Sequence, residues 1–207
     1  QITKVQNGEN YKGVNVETLT MTDNPITVYP VEFAKSKSKI GFVNMRGCRL
    51  SDVPKEAFEG ENVKYLMSLD FSYNDLNDLP SSFNAVNMSY FYGLELSYNE
   101  FSTFPFEPLD CYGLTVFGIR GQRDKNGERC LSEWPTGIYQ HVGLRGFYIG
   151  SNNLGMINDT ISPLCYYLEI SDNPDIVFDA SGVCYEYSIG AYYLIYDKTQ
   201  DVRGCEL

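Results

Sequence analysis

Few residues in this chain are equipped for catalysis. His141 is the only histidine among 207 residues, so a nucleophile has one candidate base that titrates near neutrality. The chain has no G-x-S-x-G elbow, no phosphate-binding G-x-x-x-x-G-K-[ST] loop and no H-E-x-x-H pair. Carboxylates are plentiful, but a paired acid–base site needs them held together in a cleft, and no spacing points to such a pair. Metal chemistry is equally thin. There is no C-x-x-C for zinc. Asp70, Asn74, Asp75, Asn77 and Asp78 crowd one turn with oxygen donors that suit calcium. They match no recognised loop spacing, and Asp and Asn are ordinary turn formers. The expectation is no enzyme activity, no metal and no cofactor.

Other residues are suited to contact. Tyrosine occurs 17 times, and a tyrosine on a rigid sheet offers a large surface with little entropy to lose. Tyr148, Tyr167 and Tyr193 gather around Glu169. Asp70 and Glu95 supply carboxylates earlier in the chain. Arg123, Lys125 and Arg129 lie in Gln122–Arg129, which together with Arg120 is a locally basic stretch in an acidic chain. What positions these groups is a repeated frame.

The frame reads L-x-x-L-x-F-x-x-N-x-L-x-x-L-P through Leu66, Leu69, Phe71, Asn74, Leu76, Leu79 and Pro80. It returns 25 residues later through Phe91, Leu94, Leu96, Asn99, Phe101, Phe104 and Pro105. The asparagine slot falls at Asn24, Cys48, Asn74, Asn99, Gln122, Asn152, Asn173 and Asp197, with spacings of 24, 26, 25, 23, 30, 21 and 24. The 30-residue copy holds a seven-residue insertion within Gly121–Cys130, since Trp134–Pro135 repeats the L-P step late. A fixed period of this size marks a solenoid, in which each unit buries its apolar face only against its neighbours. The asparagine amide can pair the backbone groups left where each strand ends, and cysteine at position 48 is a small substitute that tolerates burial.

This frame resembles the leucine-rich repeat, with Phe58, Phe83 and Ile138 as apolar residues of the back. The tail, Tyr196–Gln200 with Asp201 and then Arg203–Gly204–Cys205, resembles the end of secreted leucine-rich-repeat domains of gut Bacteroidetes. The resemblance implies an α/β-type repeat solenoid, a horseshoe of about eight repeats with a parallel concave β-sheet and an irregular, 3-10-rich convex side. Residues 1–13 would form an N-terminal cap with Ile2, Val5 and Tyr11 as anchors. Residues 14–197 would form the repeats and 198–207 a C-terminal cap. Outward strand positions line the concave face, placing Asp70, Glu95, Tyr148, Glu169 and Tyr193 in a central row, Tyr167 in the row before it and Arg120 in the row after it. The resemblance implies a protein-binding recognition module, extracellular or on the outer-membrane surface, working as a monomer. A glycan-binding module and a structural spacer are the alternatives.

Composition narrows the partners. The net charge is −11, and nucleic-acid binders carry a basic face, so nucleic acid is not an expected partner. No apolar run approaches the roughly 18 residues of a membrane-spanning helix. The chain begins at Gln1 without a leader or initiator methionine, as expected of a mature or excised segment. Of six cysteines, Cys48 and Cys165 occupy core slots, while Cys111, Cys130, Cys184 and Cys205 lie where disulfides can form. Asp159–Thr160–Ile161 resembles the short D-T-apolar O-glycosylation acceptor of Bacteroidetes.

Overall fold

Each apolar L-x-L slot of the frame becomes one very short strand. A computed structural model describes residues 16–35, 38–83, 88–157, 165–179 and 193–203. Eleven strands run along these residues: β1 (Thr18–Thr20), β2 (Phe42–Asn44), β3 (Ser68–Asp70), β4 (Gly93–Glu95), β5 (Val116–Gly118), β6 (Gly146–Tyr148), β7 (Met156–Ile157), β8 (Tyr167–Glu169), β9 (Val177–Asp179), β10 (Tyr193–Ile195) and β11 (Asp201–Arg203). Eight of them pair in parallel in the order β1-β2-β3-β4-β5-β6-β8-β10. Leu19, Val43, Leu69, Leu94, Phe117, Phe147, Leu168 and Leu194 stand in register along the middle of this sheet. Alternation then turns their side chains toward the core and their neighbours outward.

After each of the first seven strands of this sheet the chain reverses through one residue in the left-handed region, immediately before the ladder slot. These residues are Asp23, Gly47, Tyr73, Tyr98, Gly121, Ser151 and Asp172. Glycine and aspartate suit this backbone; serine is a less usual occupant, and bulky tyrosine an unusual one. The reversal directs the next side chain inward, where it meets orphan carbonyls. Asn74 Nδ2 donates to Phe71 O (2.8 Å) and to Met45 O of the preceding repeat (2.9 Å), while its Oδ1 accepts Leu50 N–H (2.9 Å). Asn99, Asn152 and Asn173 repeat the pattern. Gln122 does so with Nε2 on Leu96 O (3.0 Å) and Oε1 accepting Phe101 N–H (3.1 Å). Cys48 completes its rung with the thiol on Met21 O (2.9 Å).

The last rung is a correction. β10 pairs Tyr193 with Tyr167 and Leu194 with Leu168, two positions away from the register that Asp197 as a ladder residue would require. Gln200 does the work instead: its Nε2 donates to Ile170 O (2.9 Å) and Asn173 O (3.1 Å). The final turn is shorter. Leu194 and Val202 are eight positions apart, while the matching Leu168 and Phe178 are ten apart, so the longer glutamine side chain reaches back to the slot. Asp197 accepts Asp172 N–H at 2.6 Å.

The opposite side carries 3-10 turns at Lys55–Phe58, Glu61–Tyr65, Glu107–Asp110 and Ile138–Gln140 and one helix of four residues, Glu32–Lys35. Phe58, Phe83 and Ile138 are buried there, as the frame predicts. Rings interlock across repeats, Phe58 on Phe83 at 4.7 Å and Phe83 on Phe91 at 5.4 Å, both edge-on. The frame did not announce a second sheet, β11-β9-β7, parallel and three-stranded, which forms where the last repeats become shortest. Cys48, Cys111 and Cys165 are buried thiols and Cys130 is a half-buried one; none of the four is in a disulfide. Burial pushes the Cys111 thiol up to about 12 with Asp110 adding to it, so it is inert at neutral pH. The N-terminal cap 1–13, Thr160, Cys184, Cys205, Ile189 and Tyr192 lie outside the described residues.

Candidate recognition surface

Register on the long sheet sorts the outward residues into rows. The first reads Thr18, Phe42, Ser68, Gly93, Val116, Gly146, Tyr167, Tyr193. The second reads Thr20, Asn44, Asp70, Glu95, Gly118, Tyr148, Glu169, Ile195. Tyr193 therefore faces outward beside Tyr167 in the first row, and Ile195 takes the place in the central row expected for Tyr193.

In the C-terminal half the expected site residues do converge. Glu169 is only 6% exposed, and Arg120 Nε meets its Oε2 at 2.7 Å. Ser171 Oγ donates to Glu169 Oε1, and Gly150 N–H reaches Oε2 at 3.3 Å. A Cβ on Gly150 would collide with that carboxylate, so glycine is what admits the glutamate. The same Arg120 lays its guanidinium over the Tyr148 ring at 4.3 Å. Tyr148 is 5.8 Å from Tyr167, and Tyr167 stacks on Tyr193 at 5.0 Å with planes 28° apart. Burial, its largest influence, raises the Tyr148 hydroxyl above its ordinary range, opposed by Arg120. The result is one locked column, Arg120–Tyr148–Tyr167–Tyr193, anchored by a buried carboxylate. Glu169 itself is an internal support and not a free contact.

The N-terminal half is built differently. Asp70 Oδ1 accepts Ser72 N–H (3.0 Å) and Ser72 Oγ–H (2.6 Å). Glu95 Oε1 accepts Ser97 N–H at 2.9 Å. Each carboxylate thus caps the end of its own strand, and both stay half-exposed. Glu95 leans over Gly118, where a Cβ would strike its carboxyl group.

Beside the sheet, two surface tyrosines went unremarked in the frame. Tyr73 and Tyr98, both in the left-handed reversal, stack at 4.3 Å. Arg46 lies over Tyr73 at 3.9 Å, and a Cβ on Gly121 would come within 2.6 Å of the Tyr98 ring. The only sequence signal was a large aromatic in a slot elsewhere filled by Asp, Gly or Ser.

The insertion is a small hairpin closed by an Arg123–Arg129 bridge. Asp124 Oδ1 accepts Asn126 N–H (2.8 Å) and Glu128 N–H (2.9 Å), and these bonds hold its carboxyl below the usual range, the Glu128 one foremost. Leu131 then enters the core, rejoining the frame. Arg129 bonds Asn152 O at 2.9 Å and Asp172 Oδ1 at 2.5 Å, with Asp172 O a further acceptor. It clamps the loop to the next two repeats, leaving exposed Lys125 and half-buried Arg123 in the hairpin.

Among solved structures, the chain is 37% identical to a leucine-rich repeat protein from Bacteroides thetaiotaomicron VPI-5482, with a TM-score of 0.91 over 97% of this chain and 25% of that one. It is 41% identical to a leucine-rich repeat protein from Bacteroides eggerthii DSM 20697, with a TM-score of 0.87 over 94% of this chain and 32% of that one. The chain therefore spans about a quarter to a third of the length of these two proteins. The APL1 leucine-rich repeat domain, 15% identical with a TM-score of 0.57 over 89% of this chain and 41% of that one, shares the fold alone. No protein-family model and no curated protein matches the sequence. The fold is of the kind that typically serves as a non-catalytic interaction scaffold. With the asparagine frame, the parallel sheet and close likeness over nearly its whole length, this chain is a leucine-rich-repeat protein of the type found in gut Bacteroides.

Proposed function

We propose that the chain is a protein-recognition module displayed at the bacterial cell surface, making contact through the concave sheet. The observation that carries this reading is the column Arg120–Tyr148–Tyr167–Tyr193. Its rings are fixed before any partner arrives, so little ordering cost accompanies binding. Tyr193 remains 55% exposed and Ile195 beside it 40% exposed, giving an apolar end to the column. The stacking also favours protein over glycan. A sugar needs an open ring face, and within the column Tyr167 is flanked by Tyr148 and Tyr193 while Arg120 lies over a face of Tyr148.

The test is affinity for a protein partner recovered with the wild-type chain and then purified. Tyr167→Ala/Tyr193→Ala should weaken binding at least 10-fold, as expected when central aromatic contacts are removed. Unchanged affinity would remove the C-terminal column from the interface. For the location, labelling of intact bacteria with a membrane-impermeant reagent should reach the protein; labelling only after lysis would overturn surface display.

A further inference from the structure

The N-terminal half of the concave sheet is an open face with its own chemistry. Over β3 and β4 the outward residues are small: Ser68 and Gly93 in the first row, Ser72 and Ser97 beyond the second. Between them stand Asp70 and Glu95, paired in register on adjacent strands, which places them about 4.8 Å apart along the sheet. Each uses one oxygen to cap its strand. Among the described residues neither has an ion-pair partner: the ion pairs there join Arg120 to Glu169 and Arg129 to Asp172. The cations beside the pair are engaged elsewhere: Arg46 donates to Ser72 Oγ at 3.1 Å and covers Tyr73, and Arg120 is held on Glu169 and Tyr148. Phe42 and Val116 bracket this floor in the first row, and they are 40% and 41% exposed.

We infer that this hollow seats an arginine or lysine side chain of the protein partner, its charge between Asp70 and Glu95 and its aliphatic stem against Phe42 or Val116. The inference rests on the protein-recognition reading and assigns the partner a basic segment. Charge complementarity selects that occupant. Two carboxylates face solvent over serine and glycine, with exposed apolar surface at both ends suited to a methylene stem, in a molecule of net charge −11 that draws cations toward it. An acidic segment would meet like charge at both positions.

The test uses a fluorescein-labelled peptide alternating four arginines with four alanines, titrated at low salt by fluorescence anisotropy. Asp70→Asn/Glu95→Gln removes the charges and keeps both capping acceptors, so the fold stays intact, as thermal melting verifies. The expected result is at least 10-fold weaker binding, set beside less than 2-fold for Asp52→Asn/Glu59→Gln, which removes the same charge from exposed positions elsewhere. Equal weakening by both pairs would show only a diffuse acidic field and overturn the inference, as would no weakening by either. Tyr167→Ala/Tyr193→Ala tests the other reading separately: lost affinity for the partner protein with retained peptide binding leaves both standing. Retained partner affinity in that variant defeats the column and not the hollow.

Discussion

Across β3 and β4 the concave sheet carries Asp70 and Glu95 over serine and glycine, half-exposed and without an ion-pair partner among the described residues. Across β5 to β10 the corresponding rows carry the column Arg120–Tyr148–Tyr167–Tyr193, each side chain against the next, with Glu169 bonded to Arg120. Until the shortened final turn, the two halves share one backbone plan of short parallel strands, left-handed reversals and ladder bonds. The difference lies in whether a cation reaches the carboxylate. Arg120 reaches two repeats onward to Glu169, buries it and turns an outward position into structure. Among the described residues no side chain does this for Glu95, which stays half-exposed. An outward slot in a repeat is thus a permission, and its neighbours decide whether it becomes contact surface or scaffold.

If the frame is common to both halves, breaking one rung in each should cost alike, and this is the largest effect expected. Asn74→Ala and Asn152→Ala each strand buried backbone groups, Met45 O, Phe71 O and Leu50 N–H in one case and Ile119 O, Ile149 O and Gln122 N–H in the other. Each should lose about 3 kcal/mol in urea unfolding, because an unpaired buried group costs roughly 1–3 kcal/mol and some are rewatered. A difference above about 1.5 kcal/mol between the two would show that the halves differ in frame as well as in surface.

The next test separates the halves. Arg120→Ala leaves Glu169 buried without its cation, and breaking such a pair costs about 3–5 kcal/mol when both partners are buried. Arg120 is 30% exposed on its side chain, so a loss of about 2–3 kcal/mol is expected. Asp70→Asn, with the cap retained and no cation to lose, should stay within about 0.5 kcal/mol. Comparable losses at the two positions would erase the distinction between support and display.

Glycine substitutions refine the same contrast at smaller magnitude. At Gly150 an added Cβ meets both the pinned Glu169 carboxylate and the backbone oxygen of Ser171 at 2.7 Å. Neither yields easily, and Gly150→Ala should cost about 1–2 kcal/mol. At Gly118 the obstacle is the half-exposed Glu95 carboxylate, which can move aside at the expense of its one bond to Ser97 N–H, so Gly118→Ala should cost less than about 1 kcal/mol. Thermal melts of the two variants, run side by side, decide it, and the reverse order would mean that Glu95 is the more rigid of the two acids.

Much of this molecule is legible along the chain, because local periodicity is what builds it. The asparagine slots, the Gln122 and Cys48 stand-ins, the buried Phe58, Phe83 and Ile138, and the seven-residue insertion all follow from spacing. The final rung does not. Asp197 keeps the period, but the last turn is two residues shorter between its strands, and Gln200 has the length to fill the slot. The site was legible as a set of outward positions and no further. Rows show which side chains share a face, yet nothing in a 25-residue period says that Arg120 bonds Glu169, 49 positions away, or that Arg129 bonds Asp172, 43 positions away. Those reaches depend on side-chain length across stacked repeats. For the same reason Glu169 reads as a contact in the sequence and becomes a support in the structure. Tyr73 and Tyr98 escaped because the frame assigns no chemistry to the reversal they occupy.

The Arg129 clamp offers the smallest effect and a pH signature of its own. Its hydrogen bond to Asp172, the largest influence on that group, holds the carboxyl below its ordinary 3.8. A carboxyl depressed in the folded chain adds stability that is complete above its unfolded value and is lost as pH falls through the folded one. Asp172 is exposed and the pair is screened by solvent, so Arg129→Ala should cost less than about 1 kcal/mol at neutral pH. That difference should shrink as pH falls below 3.8, where wild-type and variant melting curves converge. A penalty that persists undiminished at lower pH would assign the clamp to the hydrogen bonds of Arg129 with Asn152 O and Asp172 O, which do not titrate. The insertion would then be held to the C-terminal repeats by backbone contacts, and the charge on Asp172 would be dispensable to that half of the molecule.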